Sequence, residues 1–231
     1  MKRGKRIFLV ILLVFAVIVG ALCAWQWNNV TAIFKTFSTT QEQLTEEINQ
    51  NKQVLEAELR EKHPTIISDF SAEDEEKIIK GELSVEQAIE NLNKKYQETK
   101  KDIKLSNASE SSAKNKEIDD FIGDKVIELY SLKAYYLGSL GQMEAKVKAE
   151  YLALPKEKRT LLGKQELVSK HMGTALGLMN QCDAKVSELL AELESGLKKL
   201  GGDTSITKTI KDAYENEKAL KKAQYLKLLN E

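Results

Sequence analysis

The residue types that most often carry catalysis or metal binding are scarce in this sequence. Among its 231 residues it has two histidines, His63 and His171, and two cysteines, Cys23 and Cys182. A zinc site needs three or four ligands at characteristic short spacings, and none of these four residues has a second one nearby. The motifs H-E-x-x-H, C-x-x-C and G-x-x-x-x-G-K-S/T do not occur either. The sequence therefore predicts no catalytic site, no metal site and no cofactor, and we expect a protein that is not an enzyme.

Cys182 is the one residue for which a chemical role is an open alternative. It lies in an apolar heptad pattern between Met179 and Val186, where a free cysteine packs as a small hydrophobic side chain. The alternative is an intermolecular disulfide in a homo-oligomer, because no other thiol lies beyond Cys23. The sequence favours core packing and leaves the intermolecular thiol as the second interpretation.

The charge distribution argues against nucleic acid and calcium as ligands. The chain has 35 basic and 35 acidic residues, and only four of the basic ones are arginines. Nucleic-acid-binding domains normally carry a clustered basic excess with aromatic residues beside it, which is not seen here. The acidic run Glu73–Glu76 lacks the alternating ligands and central glycine of an EF-hand loop. We interpret it as first-turn acids beside the positive end of a helix dipole.

The N-terminal residues predict a membrane anchor. Four basic residues precede Ile7–Ala24, an eighteen-residue run without a charge. A helix over residues 7–27 would be about 30 Å long, which matches the hydrocarbon core of a bilayer. Trp25 and Trp27 suit the headgroup region at its far end, and the basic residues indicate that residues 1–6 are a cytoplasmic tail. We therefore expect residues 7–27 to contact the lipid bilayer as a single-pass span, with the bulk of the chain extracytoplasmic.

A cleaved signal peptide is the alternative, because it also has a basic start and an apolar run. Signal peptidase favours small residues at positions −3 and −1, whereas cleavage after Ala24 puts Leu22 at −3. Lipidation of Cys23 is disfavoured because Leu22, rather than a small residue, precedes it. The run is also long for a signal peptide. The uncleaved anchor is preferred, and a secreted, cleaved chain is the second interpretation.

Residues 28–63 predict an amphipathic stalk helix. Its apolar residues follow an eleven-residue repeat, which holds a narrow stripe along one face of a nearly straight helix. Because the other faces are polar, the stripe needs a partner surface. Pro64 is expected to end the helix, since proline lacks the backbone donor. The stripe consists of Ile33, Phe37, Leu44, Ile48, Leu55 and Leu59.

Residues 64–105 predict a pair of short helices. Ser71 and Ser84 are each followed three residues later by a capping partner, and Gly81 between them is a typical helix stop. Residues 106–116 have no apolar periodicity and predict a linker between domains. This linker contains Asn107 in an Asn-Ala-Ser triplet, which is a glycosylation acceptor or a chance occurrence in a Ser/Asn-rich segment.

Residues 117–231 predict a helical bundle. Between residues 168 and 200 the apolar positions alternate steps of four and three, the spacing of a coiled-coil seam. The preceding helix has similar spacing over residues 122–154, interrupted by Lys133. Short connections make successive helices antiparallel neighbours. The expected fold is all-α: a single transmembrane helix, a helical stalk and an antiparallel three-helix bundle.

Two glycines within the first bundle helix, Gly138 and Gly141, require an explanation. Each costs about 1 kcal/mol relative to alanine in a helix interior. We expect them to allow close backbone packing rather than to mark a bend.

Together these features predict a membrane-anchored extracytoplasmic scaffold or adaptor that holds a protein partner. A non-catalytic subunit of an envelope secretion or cell-division complex is the alternative, by architecture alone. A ligand-binding helical bundle ranks third, because it would need inward-facing polar clusters such as Glu-x-x-His pairs. The chemistry of the protein partner is not encoded in any motif found here.

Overall fold

A computed structural model describes residues 40–106 and 113–230. Their regular structure is helical, with no strand in these two ranges, so the all-α class is confirmed. A single turn of 3-10 helix, Lys156–Lys158, lies between the two longest helices. The α-helices are α1 (Gln41–Lys62), α2 (Ala72–Lys80), α3 (Val85–Ser106), α4 (Ala113–Ala153), α5 (Leu161–Leu200) and α6 (Ser205–Asn230).

Several predicted features lie outside the described residues. They are the cytoplasmic tail, the anchor over residues 7–27 with Cys23, the start of the stalk, and most of the linker with Asn107. Within residues 40–106 and 113–230, no helix is both long enough and apolar enough to cross a membrane.

The ends of the short helices follow the predicted capping residues. Ser71 Oγ accepts a hydrogen bond from the backbone N–H of Asp74 at 3.1 Å. Gly81 adopts the left-handed conformation, with φ of 72°, and closes α2. Ser84 and Gln87 exchange two hydrogen bonds of 3.2 Å between side chain and backbone N–H, which is a capping box. These predictions are confirmed. Capping could be predicted from the sequence because it depends on residues only a few positions apart.

The chain divides into two compact units. The larger comprises Asn49–Ala213, and the smaller contains, of the described residues, 40–48 and 214–230. Within the larger unit α4 packs against α5, α2 and α3. Helices α2 and α3 thus pack on α4 even though the sequence places a linker between α3 and α4.

Two glycines of α4 allow this close approach. A Cβ atom added at Gly141 would collide with the backbone carbonyl oxygen of Ile79 in α2. One added at Gly138 would lie 2.5 Å from Val85 Cγ2 at the start of α3. The expected close packing at Gly138 and Gly141 is confirmed.

Helix α4 buries more of its circumference than the seam pattern indicates. Ile122 and Val126, which belong to the predicted seam, are buried. A second buried set lies one position further along the helix and continues the glycine face. This set comprises Ile127, Tyr130, Ala134 and Leu137. A helix covered on two faces has little amphipathicity, which is why periodicity alone did not reveal the second face.

The described seam residues of α5 differ in burial. Val186, Leu189 and Leu193 are buried, whereas Met179 and Cys182 are partly exposed. Gly196 belongs to the same stretch and lies against the ring of Phe121 in α4. This part of the seam therefore supplies the interface between α4 and α5.

The apolar stripe of α1 packs against α6. In the smaller unit Gln224 Nε2 donates a hydrogen bond to Thr45 Oγ1 at 3.0 Å. In the larger unit Asn51 Nδ2 donates to the Ala213 carbonyl at 3.2 Å. Two residues of the predicted stripe, Leu44 and Ile48, therefore pack against α6. The apolar cluster of the smaller unit comprises Leu44, Ile48, Leu220 and Ala223.

Candidate functional site

Four charged side chains meet in the interior of the larger unit, and we call them the charge cluster. Lys52 comes from α1, Asp69 from the segment before α2, Glu75 from α2 and Lys133 from α4. Glu75 is 2% exposed and Lys52 is 9% exposed, and the Asp69 side chain is 6% exposed. Charged groups are rarely buried to this degree unless they are paired.

The two ammonium groups share the two carboxylates. Lys133 Nζ lies 2.5 Å from Asp69 Oδ2 and 2.8 Å from Glu75 Oε1. Lys52 Nζ donates to the same Glu75 Oε1 and lies 3.7 Å from Asp69 Oδ2. It also donates to the Phe70 carbonyl oxygen at 3.1 Å. The two lysines therefore pair with the two carboxylates within the charge cluster.

Backbone hydrogen bonds fix Asp69 in place. Its Oδ1 accepts from the Phe70 N–H at 2.7 Å, and its own N–H donates to Glu56 Oε1 at 3.0 Å. Removing an ion from water costs several kcal/mol unless pairing and hydrogen bonds compensate, and this network supplies both. The cluster thereby ties α1, α2, α4 and the segment before α2 to one point.

The contacts that the structure shows among the four side chains of the charge cluster are ion pairs and hydrogen bonds between amines and carboxylates. Asp69 and Glu75 offer oxygens of the kind that hard cations prefer. Of these oxygens, Lys52 and Lys133 engage Asp69 Oδ2 and Glu75 Oε1.

The sequence contains signals for this cluster that were not used to predict it. Lys133 interrupts the apolar series of α4, and it does so because its ammonium group meets buried carboxylates. Lys52 fills the seven-residue gap in the stripe between Ile48 and Leu55. Glu75 lies one turn before the buried Ile78 on α2. A charge at an apolar position of one helix predicts a buried partner, but it does not identify which one.

The acidic run before Lys77 has several roles. Glu73 pairs with Lys77 at 2.6 Å and Glu76 with Lys80 at 2.5 Å, both one helical turn away and exposed. Asp74 receives the hydroxyl hydrogen bond of Ser71. Glu73 and Asp74 lie in the first turn of α2, as that interpretation expects, whereas Glu76 follows this turn. Glu75 is also in the first turn, but its carboxylate is buried in the charge cluster.

His63 lies at the end of α1 and contacts α4. Its Nδ1 is 2.7 Å from Asp119 Oδ1. Thr65 Oγ1, two residues further on, donates to the Asp119 carbonyl oxygen at 3.2 Å. The pair therefore fastens the chain after α1 to the first turns of α4.

His171 is buried on α5 and faces α4. Its Nε2 lies 3.2 Å from Glu150 Oε2, and Lys170 Nζ lies 2.8 Å from the same oxygen. The hydrogen bond from Lys170, together with His171, lowers the pKa of the Glu150 carboxyl from 4.5 to about 2. The two histidines thus contact different acids, Asp119 and Glu150, and each joins a helix to α4.

Cys182 lies on α5 with a partly exposed side chain and forms no disulfide with any described residue. Its exposure is greater than that of the buried Val186 on the next turn. The intermolecular thiol remains a prediction.

Comparison with protein-family profiles, with curated proteins and with solved structures finds no match to this chain.

Proposed function

We propose that this protein is a membrane-anchored extracytoplasmic scaffold or adaptor whose helices hold a protein partner. The observation that carries the proposal is the uncharged run Ile7–Ala24, preceded by four basic residues. A run of this length and composition is typical of a single-pass anchor with a cytoplasmic N-terminus. An antiparallel three-helix bundle and a stalk beyond the anchor belong to the same proposal.

Two features of the described helices support a scaffold. The interior of the larger unit is filled by apolar side chains, and its buried charges pair with one another. Such an interior holds helix faces in a fixed arrangement, which is what an adaptor requires. The two histidines each lie beside a carboxylate of α4, which is consistent with a structural role for them.

Membrane topology is tested by single-cysteine labelling in intact cells. In a Cys23→Ser, Cys182→Ser background, Lys199→Cys places a thiol on an exposed position of α5, and Gly4→Cys places one in the predicted tail. A membrane-impermeant maleimide should label Lys199→Cys in intact cells and Gly4→Cys only after lysis. Labelling of both only after lysis, or of Gly4→Cys alone in intact cells, would contradict the proposal.

The scaffold role is tested by crosslinking in native membranes. A photo-crosslinking residue at an exposed position should capture one discrete protein that co-purifies with the full chain after detergent extraction. The same residue at the buried Val186 is the matched control and should capture nothing from outside the chain. If the same crosslinked proteins were found with the residue at both positions, a specific partner surface would be contradicted.

The alternative partner is a second copy of the chain, joined through Cys182. Non-reducing electrophoresis of membranes should then show a dimer that Cys182→Ser abolishes. A monomer in both samples would assign Cys182 to packing alone.

A further inference from the structure

The loop between α4 and α5 is held by a defined set of hydrogen bonds. The Arg159 guanidinium donates to the carbonyl oxygens of Leu152 at 2.6 Å and Leu154 at 2.9 Å, which satisfies the end of α4. Thr160 Oγ1 accepts from the Gly163 N–H at 3.2 Å and starts α5. We call residues 146–163, from the last turns of α4 to the first turn of α5, the hairpin tip.

Two large apolar side chains are exposed at the hairpin tip. Leu152, in the last turn of α4, is 53% exposed, and Leu162, in the first turn of α5, is 64% exposed. Single exposed leucines are ordinary on protein surfaces. Here two of them flank one short loop in the sequence, with exposed basic residues between them.

The charges around these leucines are mostly positive. Residues 146–159 contain five basic and two acidic residues, whereas the whole chain is electrically neutral. Lys156 and Lys158 lie in the loop and are exposed, as are two lysines in the last turns of α4. Of the two acids, Glu150 is paired with Lys170, and Glu157 is exposed in the loop.

We propose that the hairpin tip docks on an anionic lipid surface, an interaction that goes beyond the scaffold function and does not depend on it. Leu152 and Leu162 are placed to enter the boundary between headgroups and acyl chains, as the apolar residues of interfacial helices do. Lys156 and Lys158 lie between them in sequence, where their ammonium groups meet lipid phosphates while their methylene stems stay on apolar surface. This charge complementarity selects an anionic bilayer over a zwitterionic one.

The test uses the full chain with its N-terminal segment inserted in zwitterionic nanodiscs, so that this segment cannot account for binding. Separate liposomes of phosphatidylcholine, with or without phosphatidylglycerol, are then offered, and co-sedimentation is measured. We expect binding to the phosphatidylglycerol liposomes, and weakening as salt is raised. Lys156→Glu with Lys158→Glu should weaken it about tenfold or more, and Leu162→Ser should weaken it as well.

Matched controls distinguish the effect of the hairpin tip on liposome binding from a general effect of surface charge or of exposed apolar side chains. Lys94→Glu with Lys95→Glu makes the same charge change at exposed positions of α3, and Val54→Ser removes an exposed apolar side chain from α1. Both controls should leave binding unchanged. The proposal is overturned if anionic liposomes do not bind, if zwitterionic liposomes bind equally, or if the α3 pair weakens binding as much as the tip pair.

Discussion

Lys133 shows how a residue that looks misplaced in a helix pattern becomes intelligible once its partners are known. It lies where the apolar series of α4 calls for a hydrophobic side chain, yet its ammonium group contacts Asp69 and Glu75. Pairing in the interior offsets the loss of hydration only when every charge has a partner. The residues of the charge cluster are therefore interdependent, and removal of one deprives the others of an ion-pair partner.

Replacing one lysine of the charge cluster should destabilise the protein strongly. Lys133→Met leaves two buried carboxylates with the single ammonium group of Lys52. We expect the free energy of unfolding to fall by about 3–5 kcal/mol, measured by urea denaturation.

The matched control is Lys185→Met on α5, which breaks an exposed pair with Glu188. Exposed pairs contribute about 0–1 kcal/mol, so this variant should unfold close to the wild type. If Lys133→Met and Lys185→Met lowered the free energy of unfolding equally, the charge cluster would not be buried as described.

Glu150 predicts a specific change of stability in acid. Its pKa is about 2 in the folded chain, below its ordinary value of 4.5. A depressed carboxyl pKa contributes stability above the unfolded pKa and loses it as the pH falls through the folded pKa. Glu150→Gln should therefore be less stable than the wild type near pH 6, and the difference should shrink between about pH 5 and pH 2. The measurement is a set of denaturation curves across this pH range. A constant difference in the free energy of unfolding between Glu150→Gln and the wild type would contradict the pairing of Glu150 with Lys170 and His171.

At the scale of the helices, the sequence predicts where a helix begins and ends better than it predicts which helices pack together. Caps and breakers such as Ser71, Gly81 and Pro64 act on backbone groups within a few positions, so their effects can be derived locally. The seam residue Val186 could be predicted in the same way, because a heptad pattern is local too.

Packing partners depend on residues far apart in the chain, and here prediction fell short. The pairing of α1 with α6 brings Asn51 to Ala213, and no short-range pattern encodes that contact. The charge cluster was not predicted for the same reason, since Lys52 and Lys133 come from different helices. The only sequence signal for these two lysines is that each interrupts an apolar pattern, Lys52 in α1 and Lys133 in α4.

Helix α4 supplies a test of the packing of α2. In Gly141→Ala the new methyl group meets the Ile79 backbone, which cannot move without displacing α2. We expect a loss of about 1–3 kcal/mol in the free energy of unfolding, measured by thermal or urea denaturation.

Gly177→Ala in α5 is the control, because an added Cβ there meets nothing within 4 Å. It should stabilise the protein by about 0.5–1 kcal/mol through helix propensity. Stabilisation by both substitutions would contradict the close contact between α2 and α4.

At the scale of the whole molecule, the proposal combines two ways of removing apolar surface from water. The described residues bury it between helices, and the run Ile7–Ala24 is expected to bury it in lipid. The helical class is established for the described ranges. The placement in a membrane is a proposal that follows from the N-terminal sequence.

The most direct measurement is the N-terminal sequence and intact mass of the chain recovered from membranes after alkaline extraction. An uncleaved anchor predicts that the chain stays in the membrane fraction and retains residues 1–24. A chain that begins near Trp25, or full-length protein recovered in the soluble fraction, would contradict the anchor and with it the proposed location.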